Sequence, residues 1–157
     1  MSLQKGQTAP RFQLFDDEKN AFSLEDARGK EKVLLLFFPM AFTGVCTTEL
    51  NSVSNELAAY GADTRVAGIS TDSPFTLAEF KKVNGFQFPL LSDHNAVVCA
   101  AYGAKYDGDF TPMNLDRVSK RSAFVIDKEG IIQYAEVLEN AGNLPDLEKI
   151  KEVLAAI

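Results

Sequence analysis

The chain has no tryptophan, a single histidine and two cysteines among its 157 residues, and its basic side chains are outnumbered by acidic ones. Each shortage excludes something. One histidine, His94, and two cysteines cannot assemble a His/Cys zinc cluster, so no metal site is expected, and no cofactor is called for. Two cysteines in a chain of this length are not a disulfide framework, which points to a reducing cytoplasm. A net charge of −6 argues against nucleic acid or an anionic membrane as the main partner. The longest apolar run is too short to cross a bilayer and is broken by Pro39. Residues 1–10 are polar, without a secretory hydrophobic segment, and Met1, Ser2 and Leu3 carry no functional weight. The length fits one domain over 1–157, enough to bury roughly two thirds of its unfolded surface.

What is present converges on residues 33–50. Val33 to Phe38 form a continuous apolar run of strand length, the mark of a strand covered on both faces. Pro39 has no N–H to donate and ends the ladder. Thr43 and Gly44 then read as a helix start, with Leu50, Val53, Leu57 and Tyr60 at helical spacing and Gly61 as the stop. Cys46 is therefore expected in the first turn of a helix just beyond the carboxyl end of a buried strand. First-turn N–H groups lack intrahelical partners and the helix dipole is positive there, so a thiolate is favoured over a thiol. The competing reading, a small buried hydrophobe, fits poorly with the polar neighbours Thr43, Thr47, Thr48 and Glu49.

Along the rest of the chain, Phe12, Leu14, Phe22 and Leu24 flank a polar tract at 16–20 and predict an N-terminal hairpin. Residues 65–70 predict a second core strand. Asp72-Ser73-Pro74 predicts a helix start, continued by Phe75, Leu77, Ala78, Phe80 and Val83 to Asn84-Gly85. A short extended piece at 86–91 precedes a helix capped by Ser92 or Asp93 and ending at Tyr102-Gly103. Residues 104–119 read as a long irregular loop. Strands at 122–126 and 131–137 flank a turn with Gly130, and an amphipathic helix closes the chain on Leu147, Ile150, Val153 and Leu154. This order predicts an α/β fold, a mixed central β-sheet with helices on both faces. Ligands in such sheets bind beyond the carboxyl ends of the strands, where Cys46 falls.

With Pro39-x-x-x-Thr43-x-x-Cys46 in its Phe-Phe-Pro-Met-Ala-Phe-Thr-Gly-Val-Cys-Thr-Thr-Glu-Leu context, and Arg121 in Arg-Ser-Ala-Phe-Val-Ile-Asp, the chain resembles a peroxiredoxin of the thioredoxin-like fold. The likeness is to the thiol-specific antioxidant and alkyl hydroperoxide reductase family, in its one-cysteine-like subgroup, and it extends over nearly the whole chain. It implies that Cys46 is the peroxidatic nucleophile and that Pro39, Thr43 and Arg121 complete the peroxide site. Glu49 matches a supporting position near a dimer contact. The resemblance further implies a hydroperoxide substrate, an external thiol reductant (thioredoxin, glutaredoxin or a low-molecular-weight thiol) and a homodimer.

The chemistry sets its own demands. A thiolate attacking a peroxide oxygen leaves a sulfenic acid and releases water or an alcohol. Full ionisation of a cysteine adds only about tenfold to fiftyfold, roughly 1.4 to 2.3 kcal/mol, and a lower pKa also weakens the nucleophile. The rest must come from holding the peroxide and stabilising the departing oxygen. A threonine hydroxyl both accepts and donates, and an arginine supplies fixed charge and forked donors. Plainer roles stay open: Thr43 as an N-cap, Pro39 as a strand terminator, Arg121 as a surface residue with Arg117 as competitor, and Glu49 as a dipole partner.

Cys99 lies in an apolar helical run where a buried structural cysteine is the ordinary answer, with a resolving thiol as the alternative. A disulfide oxidoreductase would want Cys-x-x-Cys, but Thr43 occupies the first place. A tyrosine phosphatase would want an arginine where Ser52 stands, and a cysteine protease would need His94 beside Cys46. A catalytically silent thioredoxin-fold binding or chaperone module is the remaining alternative.

Overall fold

The computed structural model describes residues 3–157; Met1 and Ser2 lie outside the described residues. In chain order the elements are β1 (Gln13–Asp16), β2 (Ala21–Ser23), β3 (Lys32–Phe37), α1 (Gly44–Asn55), β4 (Thr64–Ser70), α2 (Pro74–Asn84), β5 (Leu90–Ser92), α3 (Val97–Ala101), β6 (Ser122–Ile126), β7 (Ile132–Val137) and α4 (Leu147–Ala156). The seven strands make one mixed sheet in the order β2-β1-β5-β4-β3-β6-β7. β3, β4 and β5 run parallel, and β6 pairs antiparallel on the other side of β3. The predicted N-terminal hairpin is β1–β2, joined to the sheet through β5.

Strand alternation divides the core into two layers. Val33, Leu35 and Phe37 point to one face, where α3 contributes Val98 and Cys99 and the hairpin adds Phe22. Leu34, Leu36 and Phe38 point to the other, where α1, α2 and α4 bring Leu50, Leu77, Phe80, Ile150 and Leu154. Helices thus cover both faces, and the α/β, thioredoxin-like expectation holds. Among the described residues no helix is long and apolar enough to cross a membrane.

Three local expectations need correction. The helix predicted from Thr43 to Tyr60 breaks at Glu56 (φ −116°, ψ 28°) and finishes as a separate 3-10 turn, Leu57–Tyr60, before Gly61 at φ +102°. Tyr60, buried, packs there in the layer that includes α4. α2 runs from Pro74 to Asn84 as expected, with Leu77 and Phe80 on its core side and Phe75 and Val83 exposed. The helix after β5 is only five residues long, and its N-cap position is Ala96 in the left-handed region. Asp93 still serves it, its carboxylate accepting from the N–H groups of Val98 (3.0 Å) and Cys99 (2.7 Å).

Candidate active site

The site grows from the end of β3. Phe38 adds one rung beyond the strand, its N–H donating to the Ile69 carbonyl at 2.9 Å, and the buried Pro39 then stops the ladder. The loop over residues 39–43 turns through Phe42 at φ +67°, a left-handed conformation unfavourable for a bulky residue and held only where the surroundings compensate. Two contacts do so. The Phe42 ring packs on Phe80 with centroids 5.0 Å apart, and the Ala41 N–H donates to Asp72 Oδ2 at 2.8 Å. Thr43 occupies the N-cap position of α1, but its hydroxyl caps nothing; it donates back to the Met40 carbonyl at 2.7 Å. The N-cap role left open for that side chain is therefore not the one it plays.

Cys46 is the third residue of α1, in the first turn as expected. Its polar neighbours in sequence suggested a polar setting, yet only 1% of its surface is exposed. Helical geometry explains the difference. Thr43, Gly44 and Thr48 face outward, while Cys46, Glu49 and Leu50 share the inward side. Burial does not make the sulfur apolar in its contacts, because Arg121 Nη2 donates to Sγ at 3.2 Å.

Sheet register delivers Arg121. β6 pairs with β3 so that Ser122 lies opposite Phe37 and Ala123 opposite Leu36. Arg121, one step further out, stands at the carboxyl end of β3 on the face of Ala123 and Val125, which is the face α1 covers. It is 1% exposed. Nη1 donates to Glu49 Oε1 at 2.8 Å, while Nη2 and Nε both donate to the Ala141 carbonyl, at 3.0 and 3.3 Å. Burial alone would lower the guanidinium's pKa, but Glu49 and Cys46 more than offset it and hold Arg121 above its ordinary value, hence charged. Arg117, the competing arginine, is exposed.

Glu49 lies three residues after Cys46, on the same side of α1, and is fully buried. Its Oε1 accepts from Arg121, and its Oε2 is without a partner among the described residues. Burial pushes this carboxyl up to about 7, against the lowering pull of Arg121. Glu49 is therefore part of a buried carboxyl–guanidinium–sulfur cluster rather than a surface partner of the helix dipole.

Cys46, Arg121 and Glu49 are in contact; Thr43 and Pro39 belong to the loop that enters α1. Cys99 is elsewhere. It is fully buried in the opposite core layer, its Sγ directed at the Ala96 carbonyl at 3.6 Å, and burial together with Asp93 pushes its thiol up to about 12. His94 sits on an exposed turn, its Nδ1 3.2 Å from the Thr71 carbonyl. Asp72 is the contributor that sequence reasoning missed. It reads as part of a helix start, but Ser73 takes the capping role, its hydroxyl accepting from the Thr76 N–H. The available signal was its place at the carboxyl end of the strand next to β3.

Against known proteins, the AhpC/TSA family matches residues 5–135. Alkyl hydroperoxide reductase E of Mycobacterium tuberculosis is 36% identical over 158 residues, covering 99% of this chain and 98% of that protein. Among solved structures, peroxidoxin BcpB from Mycobacterium tuberculosis superposes with a TM-score of 0.86 at 28% identity, covering 99% of this chain and 98% of that one. The reduced 2-Cys peroxiredoxin of Plasmodium vivax gives 0.84 at 28% identity, over 98% of this chain and 81% of its own.

Proposed function

Because the chain belongs to the AhpC/TSA family of peroxiredoxins, thiol-dependent hydroperoxide reductases, we propose that Cys46 is its peroxidatic nucleophile. The observation that carries the assignment is the 3.2 Å contact from the buried, charged Arg121 to Cys46 Sγ. A guanidinium at that distance, away from water, donates to the sulfur and remains in place to stabilise charge on a departing oxygen.

The reaction follows in three steps. The Cys46 thiolate attacks the terminal oxygen of a hydroperoxide; the S–O bond forms as the O–O bond breaks, giving the sulfenic acid and an alkoxide or hydroxide that takes up a proton. An external thiol then attacks the sulfenic sulfur and releases water, and a second thiol exchanges with the mixed disulfide to regenerate Cys46. Thr43 is assigned to orient the peroxide. Its hydroxyl proton is committed to the Met40 carbonyl, so its oxygen is left to accept from the peroxide O–H. Pro39 shields the site from water. Glu49 holds Arg121 in place, and while it keeps its proton the guanidinium charge is directed at sulfur undivided.

One-cysteine recycling is the version we favour, supported by the position of Cys99 across the sheet with its thiol disfavoured as an anion. Hydrogen peroxide and organic hydroperoxides are the proposed substrates, with thioredoxin, glutaredoxin or a small thiol as reductant, in a cytoplasmic homodimer. Stopped-flow mixing of reduced protein with one equivalent of hydroperoxide, followed by mass measurement, tests the assignment. The expected result is rapid addition of one oxygen at Cys46, slowed about a hundredfold or more in Arg121→Met. A wild-type rate no greater than that of a free thiol would instead favour a silent binding module.

A further inference from the structure

Two hydrogen bonds in the loop before α1 converge on one peptide group. The Met40 carbonyl accepts from the Thr43 hydroxyl at 2.7 Å, and the Ala41 N–H donates to Asp72 Oδ2 at 2.8 Å. That carbonyl and that N–H belong to the same planar unit, so whatever fixes one end fixes the other. Asp72 is itself anchored. Its Oδ2 also accepts from the buried Ser70 hydroxyl at 2.6 Å, its N–H donates to Ser70 Oγ at 3.2 Å, and its carbonyl accepts from the Ser92 hydroxyl at 2.6 Å. Its neighbour Thr71 donates to the Arg117 carbonyl at 2.7 Å, tying the same turn to the long loop over 104–119.

We propose that Asp72 is a positioning residue for Thr43. It holds the Met40–Ala41 peptide in the one orientation that keeps the Thr43 hydroxyl proton engaged and its oxygen turned outward to receive the peroxide. The inference rests on the assignment of Thr43 to the peroxide site. Without the carboxylate the peptide is free to rotate, and the left-handed Phe42 next to it supplies a conformational reason to relax. The hydroxyl then loses its acceptor. The Arg121–Cys46 contact joins the residue before β6 to the first turn of α1 and involves neither Asp72 nor the Met40–Ala41 peptide.

The inference predicts a specific pattern. Asp72→Ala slows sulfenic acid formation with hydrogen peroxide by about tenfold to hundredfold, the range expected for a misplaced orienting group. Thiolate absorbance against pH overlays that of wild type. Asp72→Asn, whose amide oxygen can still accept from Ala41 and Ser70, stays within about threefold of wild type. The double variant Thr43→Val/Asp72→Ala is as slow as Thr43→Val alone, because the second change acts through a hydroxyl already gone. Multiplying losses in the double variant, or an Asp72→Ala as fast as wild type, overturn the inference while leaving the peroxidase assignment standing. A slow wild type removes both. Should Asp72→Ala not fold, Asp72→Glu displaces the acceptor by a methylene and keeps its charge; a reduced peroxide rate supports the inference and a wild-type rate overturns it.

Discussion

Replacing Glu49 by glutamine separates the charge of this side chain from its shape. The carboxyl is fully buried, and burial, opposed by Arg121, lifts it from 4.5 to about 7. In the unfolded chain it gives up its proton near the lower value, while the folded protein holds that proton until about 7. Over this window the native state binds more protons, so stability is greatest below it and falls as pH rises through it. A pKa unit corresponds to about 1.4 kcal/mol, which makes the whole decline about 3 kcal/mol, a large share of a typical domain's stability. Glutamine cannot ionise, and its amide oxygen can still accept from Arg121 Nη1. The variant should therefore lack this part of the pH dependence. Urea unfolding from about pH 5 to pH 8, with both proteins in a Cys46→Ser background to keep the sulfur's titration out, measures it. The expected outcome is a stability difference that moves by about 2–3 kcal/mol in favour of glutamine across that range. Parallel curves would refute the reasoning, since they would mean that the ion pair with Arg121 outweighs burial and keeps Glu49 charged throughout.

Thr43→Val should separate activity from stability. The residue is exposed and its hydroxyl caps no helix, so the melting free energy should shift by less than about 0.5 kcal/mol while the peroxide rate falls at least about tenfold, read by calorimetry and stopped flow. Cys99→Ser should keep turnover with an external thiol and still accumulate the sulfenic acid at Cys46 by mass, at a stability cost of about 1–2 kcal/mol for the fully buried site. Loss of turnover with thiol present would instead assign Cys99 a resolving role. Gly68→Ala should destabilise the sheet by about 1–3 kcal/mol in urea unfolding, because its new methyl would sit 2.8 Å from Leu90 Cδ2 and 3.4 Å from Phe38 Cε1.

How far these residues could be read from sequence depends on what fixes each one. The Val33–Phe38 strand, Pro39 and the first-turn placement of Cys46 are consequences of local pattern and were legible. So was the division of strands and helices, because buried runs and glycine or proline punctuation carry it. The depth of Cys46 was not legible. Its neighbours are polar in sequence, but a helix sorts them by a hundred degrees per residue, and the sulfur falls on the side of Leu50 and Val53. In α2 the apolar letters mark the helix but not its buried side, since Phe75 and Val83 are exposed while Leu77 and Phe80 are in the core. Asp72 was missed because its work is done on a main-chain N–H, and a backbone donor leaves no letter in the sequence.

Arg121 shows why a site can be half written in the chain. Period-two alternation places Arg121, Ala123 and Val125 on one side of a strand, and Leu34, Leu36 and Phe38 on one side of another. Neither pattern says that the two sides are the same side. That is settled by register, with Ser122 opposite Phe37 and the strands antiparallel, so that the start of β6 meets the end of β3 where the Cys46 helix begins. A slip of one residue would carry the guanidinium to the other core layer, toward Cys99, and strand Glu49 as an unpaired buried carboxyl. The same slip would also turn Ala123 and Val125 away from α1 and α4 and break the apolar layer that seals the sulfur. The pairing that places the charge is therefore enforced by the core itself. For this reason the contact between Arg121 and Cys46 should survive surface mutation but respond to any change that alters packing between β3 and β6.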